Sequence, residues 1–181
     1  MDYTIYPFEG LGAIRFGMTP QQVREVVGEP VGTYRVSKNS KFPTDDYFNL
    51  GFHVHYDDEL GLCSSVGIFS PYAEEDPLGL NYIPSSCESV TLNFRDRLFF
   101  KQSFRQLKSW FQSIGTGIQH KDVGVTFIRF GISINSDYYT FPDGHPEYPP
   151  NGVCISNFDE MEKEVMFFAE LKYQFEEEIK L

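Results

Sequence analysis

The sequence predicts an α+β protein made of two tandem helix-plus-antiparallel-sheet units, with helices on one sheet face and a further helix at the C-terminus. Three observations carry this prediction. Tyr47-Phe48-Asn49-Leu50-Gly51-Phe52-His53-Val54-His55 is echoed by Phe127-Ile128-Arg129-Phe130-Gly131-Ile132-Ser133-Ile134-Asn135, each with a central Gly between alternating apolar and polar residues. A helix-like segment precedes each copy: Thr19 to Val27 and Ser103 to Phe111. The apolar period then switches from helix to strand twice along the chain, which suits helices packed on one face of an antiparallel sheet.

Taken in order, residues 3–6 read as an edge strand, and Gly10 and Gly12 punctuate a turn before a short extended piece from Ala13 to Phe16. Thr19 is an N-cap with Pro20 at the first helical position, where a missing N–H costs nothing. Val23, Val26 and Val27 fall on one helical face, and Gly28 followed by Pro30 ends the helix. Gly32 to Val36 suggests a strand, followed by a loop. From Tyr47 to Tyr56 the alternation puts Phe48, Leu50, Phe52, Val54 and Tyr56 on one side, with Tyr47, Asn49, His53 and His55 on the other. Cys63 to Phe69 returns as a hairpin partner.

The second unit opens with a strand from Val90 to Phe94. A helix over 103–113 follows, with Phe104, Leu107, Trp110 and Phe111 at helical spacing. Val125 to Asn135 reads as one strand, the stretch 142–150 as a Pro-rich hairpin loop, and 153–158 as the returning strand. Asp159 is the expected N-cap of a last helix whose Met161, Val165, Phe168, Leu171, Phe175 and Ile179 trace an apolar stripe. The domain reading is a first repeat over 1–75, a Pro-containing linker over 76–89, a second repeat over 90–158 and an acidic helix over 159–181, all one compact domain.

The 181 residues fit one domain or two fused halves, and 41% hydrophobic content is enough for a core. The aromatic share of 17% favours strands and contact surfaces. A net charge of -11 argues against nucleic acid as a partner. It either steers the chain toward a basic partner or simply keeps it soluble. Cys63, Cys87 and Cys154 are odd in number and lack CxxC spacing, so neither a disulfide framework nor a zinc site is expected. Cys63 and Cys154 read as small half-buried residues at the starts of equivalent strands. No basic start, apolar h-region or spanning apolar run is evident, and the expectation is a cytoplasmic protein with no membrane partner.

The stretch Ile14 to Pro30, with Gly17-Met18-Thr19 at the helix start and Val23…Val27-Gly28-Glu29-Pro30 at its end, resembles the small outer-membrane lipoprotein fold of the barrel-assembly machinery. The tandem duplication resembles the beta-lactamase-inhibitor-protein fold, whose concave sheet grips its target. Together with Tyr47 to Phe52, the Gly17-Met18-Thr19 start also looks like bacterial cytoplasmic proteins that include toxin immunity proteins. The motif covers about 17 residues. The resemblance implies an inhibitory protein–protein role.

Candidate chemistry is sparse. His53, His55 and Asp57 share one strand side and would suit a metal, against the alternative of a solvated face. Gly10-Leu11-Gly12 and Gly17 lack phosphate-loop spacing and read as turns. No Ser or Cys stands in a nucleophile motif. The sheet side opposite the helices is expected to show Tyr47, His53, His55 and Asp57 from the first unit. From the second it would show Phe127, Arg129, Ser133 and Asn135, with Tyr138, Tyr139, His145 and Tyr148 beyond. Aromatics mixed with Arg match the composition of binding hot spots, while the rival reading is a face covered by the last helix or a second subunit. The function expected is a non-catalytic immunity or inhibitor protein without cofactor or metal. The alternatives are a self-associating adaptor or a metal-dependent enzyme using His53, His55 and Asp57.

Overall fold

The computed structural model describes residues 2–70, 90–114, 118–120 (backbone only), 124–135, 150, 152–163 and 166. The strands among them are β1 (Asp2–Tyr6), β2 (Gly10–Leu11), β3 (Ile14–Arg15), β4 (Gly32–Tyr34), β5 (Thr44–Tyr47), β6 (Phe52–Tyr56) and β7 (Cys63–Phe69). They continue with β8 (Thr91–Phe94), β9 (Arg97–Leu98), β10 (Ile118–His120), β11 (Gly124–Phe127), β12 (Ile132–Asn135) and β13 (Gly152–Ser156). With the helices α1 (Pro20–Val27) and α2 (Phe104–Ile114), and the start of a last helix at residue 158, they form an α+β fold.

The repeat is visible in the strand register. One eight-stranded antiparallel sheet runs β10-β11-β12-β13-β7-β6-β5-β4, four strands from each unit. Tyr47 pairs with Phe52 as Phe127 pairs with Ile132, and His53 pairs with Gly67 as Ser133 pairs with Cys154. The units meet at β7 and β13, where Gly67 faces Cys154 and the pairs Val66–Ile155 and Ile68–Val153 flank them symmetrically. The register therefore has a local two-fold centre between Gly67 and Cys154. Cys154 matches Gly67, in mid-strand, and not Cys63 as the sequence suggested.

Both helices start with the same device. Thr19 Oγ1 accepts from the Gln22 N–H (3.3 Å) while Gln22 Oε1 accepts from the Thr19 N–H (2.9 Å). Ser103 and Gln106 repeat this reciprocal cap at 3.2 and 2.9 Å. Each helix turns an apolar residue, Val23 or Leu107, wholly into the core. Val26 differs from expectation: it is 46% exposed, and Arg24 takes the inward place beside Val23 and Val27 because it has a buried carboxylate to meet.

The long strand expected from Tyr47 to Tyr56 is two strands. Residues Phe48–Leu50 form a tight 3-10 turn closed by Gly51 in the left-handed region (φ 81°), and Ile128–Phe130 with Gly131 (φ 62°) repeats it. A left-handed residue at this point favours Gly, which explains the shared central glycine. The turn reverses the chain, so Tyr47 and Phe52 become cross-strand partners on the same face. Alternation alone cannot show this reversal.

Tyr47, Phe52, Ile68, Val153, Ile134, Val125 and Phe127 follow one another through the register on a single sheet face. Both helices cover that face. The Tyr47 hydroxyl donates to the Gly28 carbonyl at the end of α1 (3.1 Å), and Phe111 of α2 stacks on Phe127 with centroids 4.2 Å apart. A second sheet, β3-β2-β1-β8-β9, lies on this side too, with Tyr3 edge-on to Phe52 at 5.5 Å. In it β1 is an interior strand and not an edge. It pairs antiparallel with β2 and parallel with β8, so the two units also join through their first strands.

The last helix starts at residue 158 and is capped by Asn157, whose Oδ1 accepts from the Glu160 N–H (2.9 Å). The cap therefore lies two residues before Asp159. Met161 is buried as the apolar stripe requires; Val165 and the stripe beyond it, like the whole linker 76–89 and the loop 142–149, lie outside the residues whose side chains are described. No helix among the described residues is long and apolar enough to cross a membrane.

Candidate functional site

The sheet face opposite the helices carries a polar row across adjacent strands. Asp46 on β5 pairs with His53 on β6, His53 with Gly67 on β7, Gly67 with Cys154 on β13, Cys154 with Ser133 on β12, and Ser133 with Thr126 on β11. Period-2 alternation points all of these residues away from the core.

His53 and His55 are the chemical centre of this face. Their rings meet edge-on with centroids 4.4 Å apart, and Phe69 packs edge-on to His53 at 4.8 Å. His53 Nδ1 lies 3.2 Å from the Tyr34 hydroxyl, and His55 Nδ1 lies 3.0 Å from Thr44 Oγ1. A Cβ on Gly67 would overlap the far ring nitrogen of His53, so the absence of a side chain there makes room for the imidazole. Burial, then the neighbouring His55, pulls His53 down to about 3. Burial also lowers His55, opposed by the negative charge of Glu160 on the last helix. Both imidazoles are therefore neutral at physiological pH.

Asp46 is 6% exposed, and its Oδ1 has no hydrogen-bond partner among the described residues. Burial raises its carboxyl above the usual range, partly offset by the Phe48 N–H. The sequence reading missed Asp46 and Thr44 because it placed them in a loop, and it put Tyr34 on the strand Gly32 to Val36 without a site role. The signal was the adjacent pair Asp45-Asp46: in a strand, one carboxylate must face the core and the other the opposite side.

The expected site residues disperse. Tyr47 and Phe127 lie in the core, 1% and 0% exposed, because the tight turns invert their strands. Burial pushes the Tyr47 hydroxyl up to about 12. Asp57 turns into its own loop, where its carboxylate accepts from the N–H groups of Glu59, Leu60 and Leu62. Burial raises Asp57, but those N–H donors and Lys163 outweigh it and leave the group lowered. The trio of His53, His55 and Asp57 is thus not assembled, and among the described residues no group of three or more His, Cys, Asp or Glu is placed to hold a metal ion. Arg129 is exposed at the β11–β12 turn, and Asn135 is exposed at the end of β12 on the same face as His53. Tyr138, Tyr139, His145 and Tyr148 lie outside the described residues.

The face is not the open aromatic platform expected. Thr44, Asp46, Thr126, Ser133 and Ser156 are buried; His53, His55, Ser65, Phe69 and Cys154 are half-buried. No protein-family model matches the chain, and no curated protein or solved structure matches it.

Proposed function

We propose that the chain is a non-catalytic protein-binding module, acting in the cytoplasm as an immunity or inhibitor protein that blocks a cognate toxin or enzyme by steric cover. The observation supporting this most directly is a band of half-buried side chains, His53, His55, Phe69 and Cys154, that crosses three neighbouring central strands toward exposed Asn135. The register fixes their spacing, so a partner meets a preorganised surface and little ordering entropy is lost on docking. The net charge of -11 raises the encounter rate with a basic target.

The test is affinity capture from the native host, followed by titration of the captured protein against the wild type and a His53→Ala/Asn135→Ala variant. Binding by the wild type that weakens in the variant supports the proposal. Failure to recover any partner at micromolar concentration refutes it.

A further inference from the structure

We infer that the exposed edge of the eight-stranded sheet at β4 is a second docking surface, which takes an acidic, extended peptide segment as an added strand. This surface lies at the end of the sheet, outside the central band of the proposed function. The two surfaces share Tyr34, whose hydroxyl meets His53; the remaining residues of the argument are different.

Among the described residues β4 is the terminal strand of its sheet and pairs with β5 alone. All three of its residues are exposed, Tyr34 by 38%, and Val31 (58% exposed) and Val36 (66%) flank the strand. Edge strands are guarded against pairing by shortness, by charge or Pro, or by a bulge. Gly32-Thr33-Tyr34 is short, but it carries no charge or Pro and its register with β5 is regular. An edge of this kind offers main-chain hydrogen bonds and side-chain contacts to an incoming strand.

The neighbouring chain supplies the charge. From Pro30 to Pro43 there are three cations, Arg35, Lys38 and Lys41, and no Asp or Glu. The segment is thus locally basic on a chain of net -11, with Glu29 before it and Asp58 against the Lys41 N–H as its acidic neighbours. The loop is shaped and not a loose tail: the Arg35 guanidinium donates to the carbonyls of Ser40 and Lys41, and the Lys41 N–H donates to Asp58 Oδ1 at 2.6 Å. Lys38 and Lys41 are exposed.

The repeat singles out the same loop. Gly32 of β4 matches Ile118 of β10, an offset of 86, while Thr44 of β5 matches Gly124 of β11, an offset of 80. The first unit therefore holds six more residues between its two outer strands than the second. All three cations lie in that longer connection, whereas the short one at 121–123 reads Lys-Asp-Val. In repeat architectures, insertions of this kind map to loops on the binding side.

Charge also selects the occupant. A second copy pairing β4 antiparallel against β4 would set the two cation-bearing loops at opposite ends of the paired strands and leave them without an acidic partner strand, so self-pairing is the rival outcome that the test must separate. Nucleic acid would have to approach a chain of net -11 through three cations only. A short acidic strand meets the local basic charge and the apolar edge together.

The experiment uses the full chain and fluorescein-labelled seven-residue peptides in fluorescence anisotropy. One peptide alternates Glu and Val, one alternates Lys and Val, and one is the Glu–Val peptide with alternate amides N-methylated. We expect the Glu–Val peptide to bind, and the Lys–Val and N-methylated peptides to bind on the order of tenfold or more weakly, since each loses one of the two contributions. A Lys38→Glu/Lys41→Glu variant with unchanged thermal unfolding loses affinity for the Glu–Val peptide. Equal binding of the Lys–Val or the N-methylated peptide, or no Glu–Val binding at millimolar concentration, overturns the inference. So does a mass measurement showing that the edge is filled by a second copy. None of these outcomes bears on capture of a target by the central face.

Discussion

The ion pair between Arg24 and Asp45 offers the sharpest test of how the first unit is held together. Asp45 is 1% exposed, and Arg24 reaches it with two bonds, Nη2 to Oδ1 at 2.8 Å and Nε to Oδ2 at 3.2 Å. The Tyr56 hydroxyl donates to the same carboxylate at 2.9 Å. Replacing Arg24 by Met leaves a buried carboxylate with one neutral donor. Removing one partner of a buried pair costs about 3–5 kcal/mol. The Arg24 side chain is itself 34% exposed, so water reaches the gap, and the lower end, about 3 kcal/mol, applies. For a chain of this size that corresponds to a fall in Tm of roughly 6–12 °C. The second unit already shows the apolar solution, since Val125 occupies the place of Asp45 and is 2% exposed. The triple variant Arg24→Met/Asp45→Val/Tyr56→Phe is thus expected to recover to within about 1 kcal/mol of wild type, because no unpaired polar group remains. Urea unfolding of wild type, Arg24→Met and the triple variant measures both values. A loss below about 1 kcal/mol in Arg24→Met, or a triple variant no better than the single, would refute the account.

Three further outcomes are expected. Because the folded state holds His53 near 3 against an ordinary value of 6.5, the unfolded chain takes up a proton that the native state refuses. Stability is then complete above about pH 6.5 and falls on acidification; His53 alone removes about 2 kcal/mol between pH 7 and 5, and denaturant midpoints for wild type and His53→Phe should diverge across that window. Gly67→Ala drives a methyl into the His53 ring and costs about 1–3 kcal/mol. Adding His53→Ser, the residue at the matching place in the second unit, restores it in thermal melts; an uncorrected double variant would contradict the steric explanation. Thr19→Ala and Ser103→Ala each lose about 1 kcal/mol of helix capping, and their double variant should show the sum if the two helices are energetically independent.

The starts of α1 and α2 and the duplication were legible in the sequence because they rest on local chemistry. Thr19-Pro20 fixes α1 within one residue, and the matched turns around Gly51 and Gly131 reveal the repeat. What alternation could not encode was the reversal at those glycines. One tight turn separates a strand that runs straight through from a hairpin, and this moved Tyr47 and Phe127 from the expected contact face into the core. Arg24 was hidden for a related reason. A helix position that looks polar can point inward only if a buried counter-charge awaits it, and Asp45 lies 21 residues away in a segment read as loop. The parallel pairing of β1 with β8 depends on residues 89 positions apart, a distance at which local periodicity carries no information.

The symmetric seam at Gly67 and Cys154 has a consequence for how such a chain arises. A polypeptide ending at Ser70 would carry the seven residues of β7 as a bare strand, and its own twin offers the complementary ladder, glycine opposite glycine. Two such half-length molecules would rebuild the same eight-stranded continuity, so the present chain is, in structural logic, a dimer tied into one molecule. Within one covalent chain the halves need not be identical, and the first carries Asp45, Asp46 and His53 where the second has Val125, Thr126 and Ser133.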